Sequence, residues 1–342
     1  MTPRERILTA LKRQPTDIPA IGNAVSIATM DLMEATGCYF PEAHTNAEAM
    51  AGLAAAGYEV LGYDTIAPIF SVQHEADALC CEVDWGRRDM MPDATVHPCR
   101  TADDIHLPAD ILRHPSIVVA LDALELLRSQ YPDVAIVGKV FGPWTLAYHL
   151  FGIERFLMMT LDAPDEVHRI LRALMPLPEL LAHKQFAAGA DVVTLADHAT
   201  GDLVAPEMYR DFLWPLHREL AAAINGPLIL HICGDTLDRI AWISRSGIEC
   251  FHFESKVPAS KARWAAGDRI ALMGNINNPR TLLHGTPDDV AEEVHVALLA
   301  GVDIIAPECA VPLRTPTINL QTVADAARAW MPPTSKSRRR RR

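Results

Sequence analysis

The sequence predicts a (β/α)8 barrel of the TIM type, and three observations lead to that class. Eight short apolar, β-branched runs recur along the chain, most of them are separated by helical patterns, and no linker rich in Gly, Ser or Pro divides them. A strand-then-helix rhythm repeated eight times favours a closed parallel barrel over an open sheet. The 342 residues fit either two ordinary domains or one large barrel, and the missing linker favours the barrel.

The strands are predicted from short runs rich in apolar and β-branched residues. They occupy residues 18–23, 60–69, 134–140, 191–197, 228–233, 249–254, 270–275 and 302–307. Helical patterns lie between them, for example over 116–131, 210–224 and 286–301, the last with acidic residues in its first turn.

The segments outside this rhythm are the start of the chain and two long connections. Residues 1–13 read as an amphipathic helix, with Ile7, Leu8 and Leu11 on one face, rather than as a signal peptide. The connections 24–59 and 71–133 are expected to carry extra helices or a cap over the barrel mouth. We therefore expect residues 1–331 to form one barrel domain.

Charge and composition exclude several classes of function. The net charge is -12, and Lys336 with Arg338 to Arg342 supply six positive charges in a tail, 332–342, that we predict to be disordered. The rest of the chain then carries -18 and should repel nucleic acid and anionic membranes. No apolar run approaches the ~20 residues of a membrane span. Seven scattered cysteines indicate a reducing cytoplasm rather than a disulfide framework.

Barrel enzymes place their active sites at the carboxyl ends of the strands, so the residues there carry the functional information. In this chain those ends form a dense polar ring: Asn23, Asp64, Lys139, Asp197, His231, Cys233, Glu254, Asn275 and Cys309.

Four members of this ring have the side chains of a metal site. His231 and Cys233 are two residues apart on a predicted strand and should face the barrel interior together. Glu254 ends the next strand, and Cys309 follows the eighth. Two thiolates, one imidazole and a carboxylate match the preferences of Zn²⁺.

A structural interpretation competes at each position. A lone His-x-Cys in a strand is usually core packing, and Cys250 and His252 share the strand face of Glu254 as rival ligands. The remaining cysteines lie in the two long connections and are interpreted as structural: Cys38, Cys80, Cys81 and Cys99.

Several segments together resemble the methylcobamide:coenzyme M methyltransferases of the uroporphyrinogen decarboxylase superfamily. They are His-x-Cys-Gly at 231–234, "FHFESK" at 251–256, "GNI" at 274–276, "APECAVPLRTPTINLQTV" at 306–323, "RERILTALKRQPTDIPA" at 4–20, "FPEAH" at 40–44, "GPWTLA" at 142–147 and "GADVVTLAD" at 189–197. The likeness runs to about residue 331. It implies a (β/α)8 barrel that moves a methyl group from a methyl-corrinoid, carried by a separate corrinoid protein, to a thiol such as coenzyme M.

The resemblance also implies roles for individual residues. Zinc would be held by His231, Cys233 and Cys309, with Glu254 in the fourth, catalytic position until the acceptor thiol displaces it. One departure is Glu308, which stands where that family usually has Gly. Asp197 and Asn275 are expected either to hold the acceptor or contact the corrin edge, or to pin the barrel rim through hydrogen bonds.

Three alternatives stay open from the sequence. A corrinoid:tetrahydrofolate methyltransferase of the same superfamily is disfavoured by the complete zinc triad. A uroporphyrinogen decarboxylase is disfavoured because "NAVSIATMDLMEAT" after the first strand lacks the arginines that the resemblance would require. The third alternative is a metal-free binding barrel.

Overall fold

A computed structural model describes residues 1–331, and its centre is one eight-stranded parallel sheet. The strands are β1 (Ala20–Ile21), β2 (Thr65–Ile66), β3 (Glu82–Asp84), β4 (Asp93–Val96), β5 (Ala135–Phe141), β6 (Val192–Ala196), β7 (Leu228–His231), β8 (Cys250–Phe253), β9 (Ala271–Ile276) and β10 (Ile304–Pro307). The sheet order is β1-β10-β9-β8-β7-β6-β5-β2, while β3 and β4 pair with each other as an antiparallel hairpin. Every predicted strand overlaps an observed one, and the predicted TIM barrel is confirmed.

The barrel closes between β1 and β2 through single hydrogen bonds rather than a ladder. The N–H of Asp64 donates to the Ile21 carbonyl over 2.8 Å, and the Ile21 N–H donates to the Asp64 carboxylate over 3.0 Å. Arg6 contacts the same carboxylate from the N-terminal helix, 2.5 Å from Oδ1. Asp64 therefore holds the seam between β1 and β2, which are both two residues long.

Helices surround this sheet, and they begin and end where local sequence allows. They are α1 (Pro3–Leu11), α2 (Met30–Thr36), α3 (Glu42–Thr45), α4 (Ala47–Glu59), α5 (Gln73–Ala78), α6 (Pro115–Gln130), α7 (Pro143–Phe151), α8 (Ile153–Asp162), α9 (Pro164–Leu174), α10 (Pro176–Ala187), α11 (Pro206–Met208), α12 (Trp214–Ala223), α13 (Ile240–Ile243), α14 (Ala259–Ala266), α15 (Pro287–Ala300) and α16 (Thr317–Arg328). Short 3-10 turns cover Ala102–Asp104 and Ile111–Arg113, and π-helical turns cover Tyr209–Leu213 and Asn278–Leu283.

Helix α15 shows how these boundaries are set. The Thr286 hydroxyl accepts from the Asp289 N–H, the Asp289 carboxylate accepts from the Thr286 N–H, and Pro287 opens the first turn. Gly301 ends the helix with a φ of 86°, a left-handed backbone conformation that residues other than Gly rarely adopt.

The two long connections contain more than the predicted helices. Residues 24–59 carry α2, α3 and α4, whereas 71–133 carry α5, α6 and the hairpin β3–β4, which the sequence analysis missed. The predicted tail, 332–342, lies outside the described residues.

The barrel interior is apolar at one end and polar at the other. Small and branched side chains such as Ala135, Val192 and Ile304 fill it, and Ile7 and Leu11 of α1 join the same cluster. The Arg4 N–H donates to the carbonyl of Asp133, just before β5, so α1 covers the amino ends of the strands. The carboxyl ends form the barrel mouth. No described helix is long and apolar enough to cross a membrane.

Candidate metal centre

Three side chains meet at the barrel mouth: His231, Cys233 and Cys309. The His231 Nε2 lies 3.1 Å from the Cys233 sulfur and 3.5 Å from the Cys309 sulfur, and the two sulfurs are 3.3 Å apart. His231 is buried and both cysteines are half-buried, so the triangle is covered below and accessible above. These three positions, up to 78 residues apart in sequence, can present one ligand atom each to a common ion.

Cys233 reaches the triangle by a route that differs from the predicted one. Strand β7 ends at His231, so Cys233 lies in the following loop and not on the strand face. Gly234 has a φ of 79°, and a Cβ atom there would lie 2.0 Å from the hydroxyl oxygen of Thr200. The turn that brings the thiol back over the mouth therefore requires glycine.

Glu308 fixes the loop that carries Cys309. Its carboxylate accepts the Ser255 N–H over 2.8 Å and the Asn278 N–H over 2.7 Å, which joins the loops after β8, β9 and β10. The residue is buried, with both oxygens used. The departure from Gly thus adds a bridge at the base of the cysteine loop and leaves Cys309 directed into the mouth.

The imidazole of His231 is set up to stay neutral. Burial is the first cause that lowers its pKa well below the ordinary range, and the neighbouring His252, whose ring centroid is 4.6 Å away, lowers it further. A neutral imidazole is the form that binds a metal ion. The Nδ1 atom of His231 is buried and has no hydrogen-bond partner of good geometry. The nearby backbone carbonyl of His252 raises the pKa and so offsets part of the lowering.

The two thiols behave as one unit because they share a hydrogen bond. That bond lowers the pKa of Cys309 and raises the pKa of Cys233 well above its ordinary value. The pair therefore gives up its first proton easily and holds the second, as expected for two sulfurs in contact.

Glu254 lies beside this triangle but outside it. Its carboxylate lies close enough to the Gly234 N–H and the Cys233 thiol to interact with both, yet it does not belong to the group of ligand atoms that lie within 4.8 Å of one another. Burial, and then the charge of Glu308, raises the pKa of Glu254. The carboxylate is thus adjacent to the triangle without being part of it.

Asp197 and Asn275 are engaged in the rim. The Asp197 carboxylate is fully buried and accepts from the Thr145 N–H over 2.8 Å and from His217 Nε2 at 3.0 Å, so both oxygens are used. The Asp197 N–H also donates to the carbonyl of His231. Asn275 donates from its amide to the Val257 carbonyl over 3.1 Å. Of the two expectations for these residues, the hydrogen bonds favour the rim-pinning one.

The rival ligands, Cys250 and His252, are not part of the triangle's ligand group. Cys250 is fully buried in the apolar interior, and burial raises its pKa well above the ordinary range. His252 faces the Pro307 carbonyl at 2.8 Å through Nε2. The cysteines of the long connections are not near the triangle's ligand group: Cys38, Cys80, Cys81 and Cys99.

One residue near the triangle escaped the sequence analysis. His198 follows Asp197 directly after β6, and its ring meets that of His231 edge to face with centroids 6.4 Å apart. Burial lowers its pKa. The signal that points to it is its position at a strand end, one residue past a member of the predicted ring.

Comparison with known proteins decides the family. A family model described as uroporphyrinogen decarboxylase (URO-D) matches residues 2–330. The chain belongs to the URO-D family. This URO-D protein is 33% identical over 329 residues to a methylcobamide:CoM methyltransferase of Methanosarcina barkeri, covering 95% of this chain and 97% of the relative.

Two further relatives of this URO-D protein come from Methanosarcina mazei. A methylated-thiol–coenzyme M methyltransferase is 33% identical over 330 residues, covering 96% of this chain and 89% of the relative. A solved methyltransferase structure is 32% identical, with a TM-score of 0.92 over 96% of this chain and 98% of that chain. The predicted superfamily is confirmed, as is the resemblance to the methylcobamide:CoM methyltransferases.

Proposed function

We propose that this protein is a zinc-dependent methyltransferase that moves a methyl group from a methyl-corrinoid, held on a carrier protein, to a thiol acceptor such as coenzyme M. The observation that carries the proposal is the triangle of His231, Cys233 and Cys309 at the mouth of a barrel whose relatives include methylcobamide:CoM methyltransferases.

The triangle fits zinc in both size and chemistry. Tetrahedral zinc with the usual Zn–S and Zn–N lengths separates two sulfurs by ~3.8 Å and a sulfur from a nitrogen by ~3.6 Å. The observed 3.3 Å between sulfurs, and 3.1 and 3.5 Å from sulfur to nitrogen, are slightly shorter. A small relaxation would admit the ion, and the donor set of one imidazole and two thiols suits Zn²⁺.

The ligands favour alkyl transfer over water activation. Zinc, when bound, would supply the positive charge that removes the proton of a coordinating thiol. Cys233 and Cys309 already contribute two negative charges, so they leave an incoming thiolate electron-rich and reactive. Glu254, adjacent but outside the triangle, provides a fourth ligand that the acceptor can displace.

The remaining residues hold this arrangement in place. Glu308 fixes the Cys309 loop, and Asp197 fixes the end of β7 through its N–H bond to the His231 carbonyl. Asp197 and Asn275 hold the rim that faces the corrinoid carrier. In this proposal the chain binds, orients and activates the thiol, while the methyl-cobalt chemistry belongs to the corrin.

We also infer a cytoplasmic setting for the reaction. All seven cysteines are free, and two of them are the proposed ligands, which need reducing conditions to stay thiols.

The test is a methyl-acceptor assay on the full-length protein with its zinc content measured. We expect about one zinc per chain, and loss of methyl-cobalt absorbance from methylcobalamin when coenzyme M or another thiol is added. Demethylation with tetrahydrofolate but no thiol would favour the corrinoid:tetrahydrofolate alternative. Uroporphyrinogen decarboxylation would favour the decarboxylase, and full thiol methylation by metal-free protein would contradict the zinc proposal.

A further inference from the structure

Lys139 is a buried basic residue in the barrel mouth that has no carboxylate in salt-bridge contact among residues 1–331. It lies on β5, whose alternate residues Ala135 and Val137 belong to the interior cluster, and its side chain is 5% exposed. Its Nζ donates to the Val25 carbonyl over 3.2 Å and lies 5.5 Å from the centroid of the Phe141 ring. Among residues 1–331, no carboxylate lies within ion-pairing distance of this ammonium.

The Val25 contact places the ammonium beside the cysteine loop. Val25 belongs to the loop after β1, and the next residue, Ser26, accepts the Val311 N–H over 3.3 Å. Val311 comes two residues after Cys309, so the end of the Lys139 side chain and the triangle share one mouth.

The position is unfavourable for an unpaired amine. An ammonium has three N–H donors, and Lys139 has one hydrogen-bond acceptor. The charges that act on Lys139 are those of Cys309 and then Glu75. Glu75 accepts the Phe141 N–H through one oxygen and leaves the other without a partner. Burial lowers the pKa of Lys139 to about 7 and raises that of Glu75 to about 8. An apolar side chain would pack here with less loss, so a role in binding explains the lysine better than a role in folding.

We propose that Lys139 sets acceptor specificity by binding the anionic end of a short thiol, so that acceptors with a sulfonate or carboxylate are preferred over neutral thiols. This inference rests on the proposed function and deepens it. The thiol end of such a molecule enters the triangle while its anion meets Nζ, and the two contacts align the sulfur for attack. Lys139 acts here as a residue that sets acceptor specificity.

Lys256 is the alternative cation on the same rim, and its surroundings differ. It is half exposed and already paired with Asp202, with Nζ and the carboxylate oxygen 2.7 Å apart. A paired, exposed lysine gives little discrimination between ligands. It therefore serves as the matched control for Lys139.

The first experiment compares 2-mercaptoethanesulfonate and 3-mercaptopropionate with 2-mercaptoethanol as methyl acceptors, using zinc-loaded protein and methylcobalamin. We expect the KM of the anionic thiols to be lower by about 10- to 100-fold, the range of a hydrogen bond to a charged group. Lys139→Met should remove most of this difference in KM between anionic and neutral thiols, and Lys139→Arg should retain part of it. Lys256→Met should leave the difference unchanged.

The second experiment measures binding of ethanesulfonate, which has no thiol and needs no zinc chemistry. Calorimetric or NMR titration should detect binding to the wild-type protein and to Lys256→Met, and none to Lys139→Met. The comparison of thiols in the first experiment separates a specificity role from a purely structural one, because loss of packing at residue 139 would affect neutral and anionic thiols alike.

Each result decides a different claim. If no thiol is methylated, the proposed function fails. If wild-type protein methylates neutral thiols as well as anionic ones, or does not bind ethanesulfonate, the role of Lys139 is overturned and the methyltransferase stands. The wild-type measurements decide this even if Lys139→Met does not fold, and loss of the anionic preference in Lys256→Met would assign the role to the exposed lysine.

Discussion

A histidine and a cysteine two residues apart occur at the end of β7, as His231 and Cys233, and within β8, as Cys250 and His252, yet the two pairs have different surroundings. His231 and Cys233 meet Cys309 at the mouth, where the thiols are half-buried and in contact. Cys250 and His252 are fully buried, with the thiol in the apolar interior and the imidazole facing the Pro307 carbonyl. Identical residue types at identical spacing therefore give a ligand set only where the chain has left the ladder and turned over the mouth.

The comparison is tested most strongly by removing one thiol from each pair. Cys309→Ser should reduce zinc to well below one per chain and lower methyl transfer about a thousand-fold or more, because loss of a direct ligand exceeds the ~10- to 100-fold effect of outer contacts. Cys250→Ala should keep both zinc and activity and lose only some stability. Zinc analysis and the methylcobalamin assay check this, and equal zinc loss in both variants would end the distinction between the pairs.

Lys139 and Lys256 differ in the same way, one buried and the other exposed and paired with Asp202, and the difference predicts a pH-dependent stability for Lys139 alone. Its pKa falls from 10.5 to about 7 on folding, so the unfolded chain binds more protons between these values and stability rises with pH across that window. Lys139→Met should therefore stabilise the protein by an amount on the order of 4 kcal/mol at pH 6, shrinking toward pH 10.

Denaturant unfolding at several pH values measures this difference. Lys256→Met is the control, since its exposed pair should change stability by less than ~1 kcal/mol with no such trend. The quantity to compare is the stability of Lys139→Met minus that of wild type. If this difference were smaller at pH 6 than at pH 9, it would contradict the sign of the pKa shift.

Glu308 gives a smaller test of how the upper pair is held in position. Glu308→Gln places an amide NH₂ against the backbone N–H of either Ser255 or Asn278, where two donors face each other. The variant should lose about 1–3 kcal/mol of stability. It should also bind zinc ~10- to 100-fold more weakly. Competition with a zinc chelator measures the affinity. The exposed Glu292→Gln should stay within ~0.5 kcal/mol of wild type, and full zinc affinity in Glu308→Gln would show that the bridge is dispensable.

The smallest expected effect is that of Glu254→Gln. The amide is a weaker ligand than the carboxylate, so the variant should keep zinc and bind the acceptor thiol up to ~10-fold more tightly, because less competition opposes the thiol. Thiol titration calorimetry of the zinc-loaded protein checks this. Unchanged affinity would remove Glu254 from the set of exchangeable ligands.

The sequence predicted the barrel because its signals are local: each β-branched run and each helical pattern can be recognised without its neighbours. The same rule located His231, Cys233 and Cys309 at strand ends. The rule wrongly placed Cys233 on the strand itself. Cys233 lies in a turn after β7, and that turn depends on the close approach of Gly234 to Thr200, which lies in another loop.

What escaped prediction depends on contacts between distant parts of the chain. The seam bond joins Arg6 to Asp64, and the two partners of Glu308 come from loops 53 and 30 residues away. Lys139 was recognised as polar at a strand end, but its lack of a partner is visible only once the groups around it are in place.

Helix α1 has a consequence for the order of events in a catalytic cycle. Because Ile7 and Leu11 plug the opposite end of the barrel, whatever enters the mouth must leave by the same opening. A bulky carrier seated there would trap the methylated thioether beneath it. Turnover would then be strictly sequential, with the thiol entering first, the carrier docking and departing second, and the product escaping last.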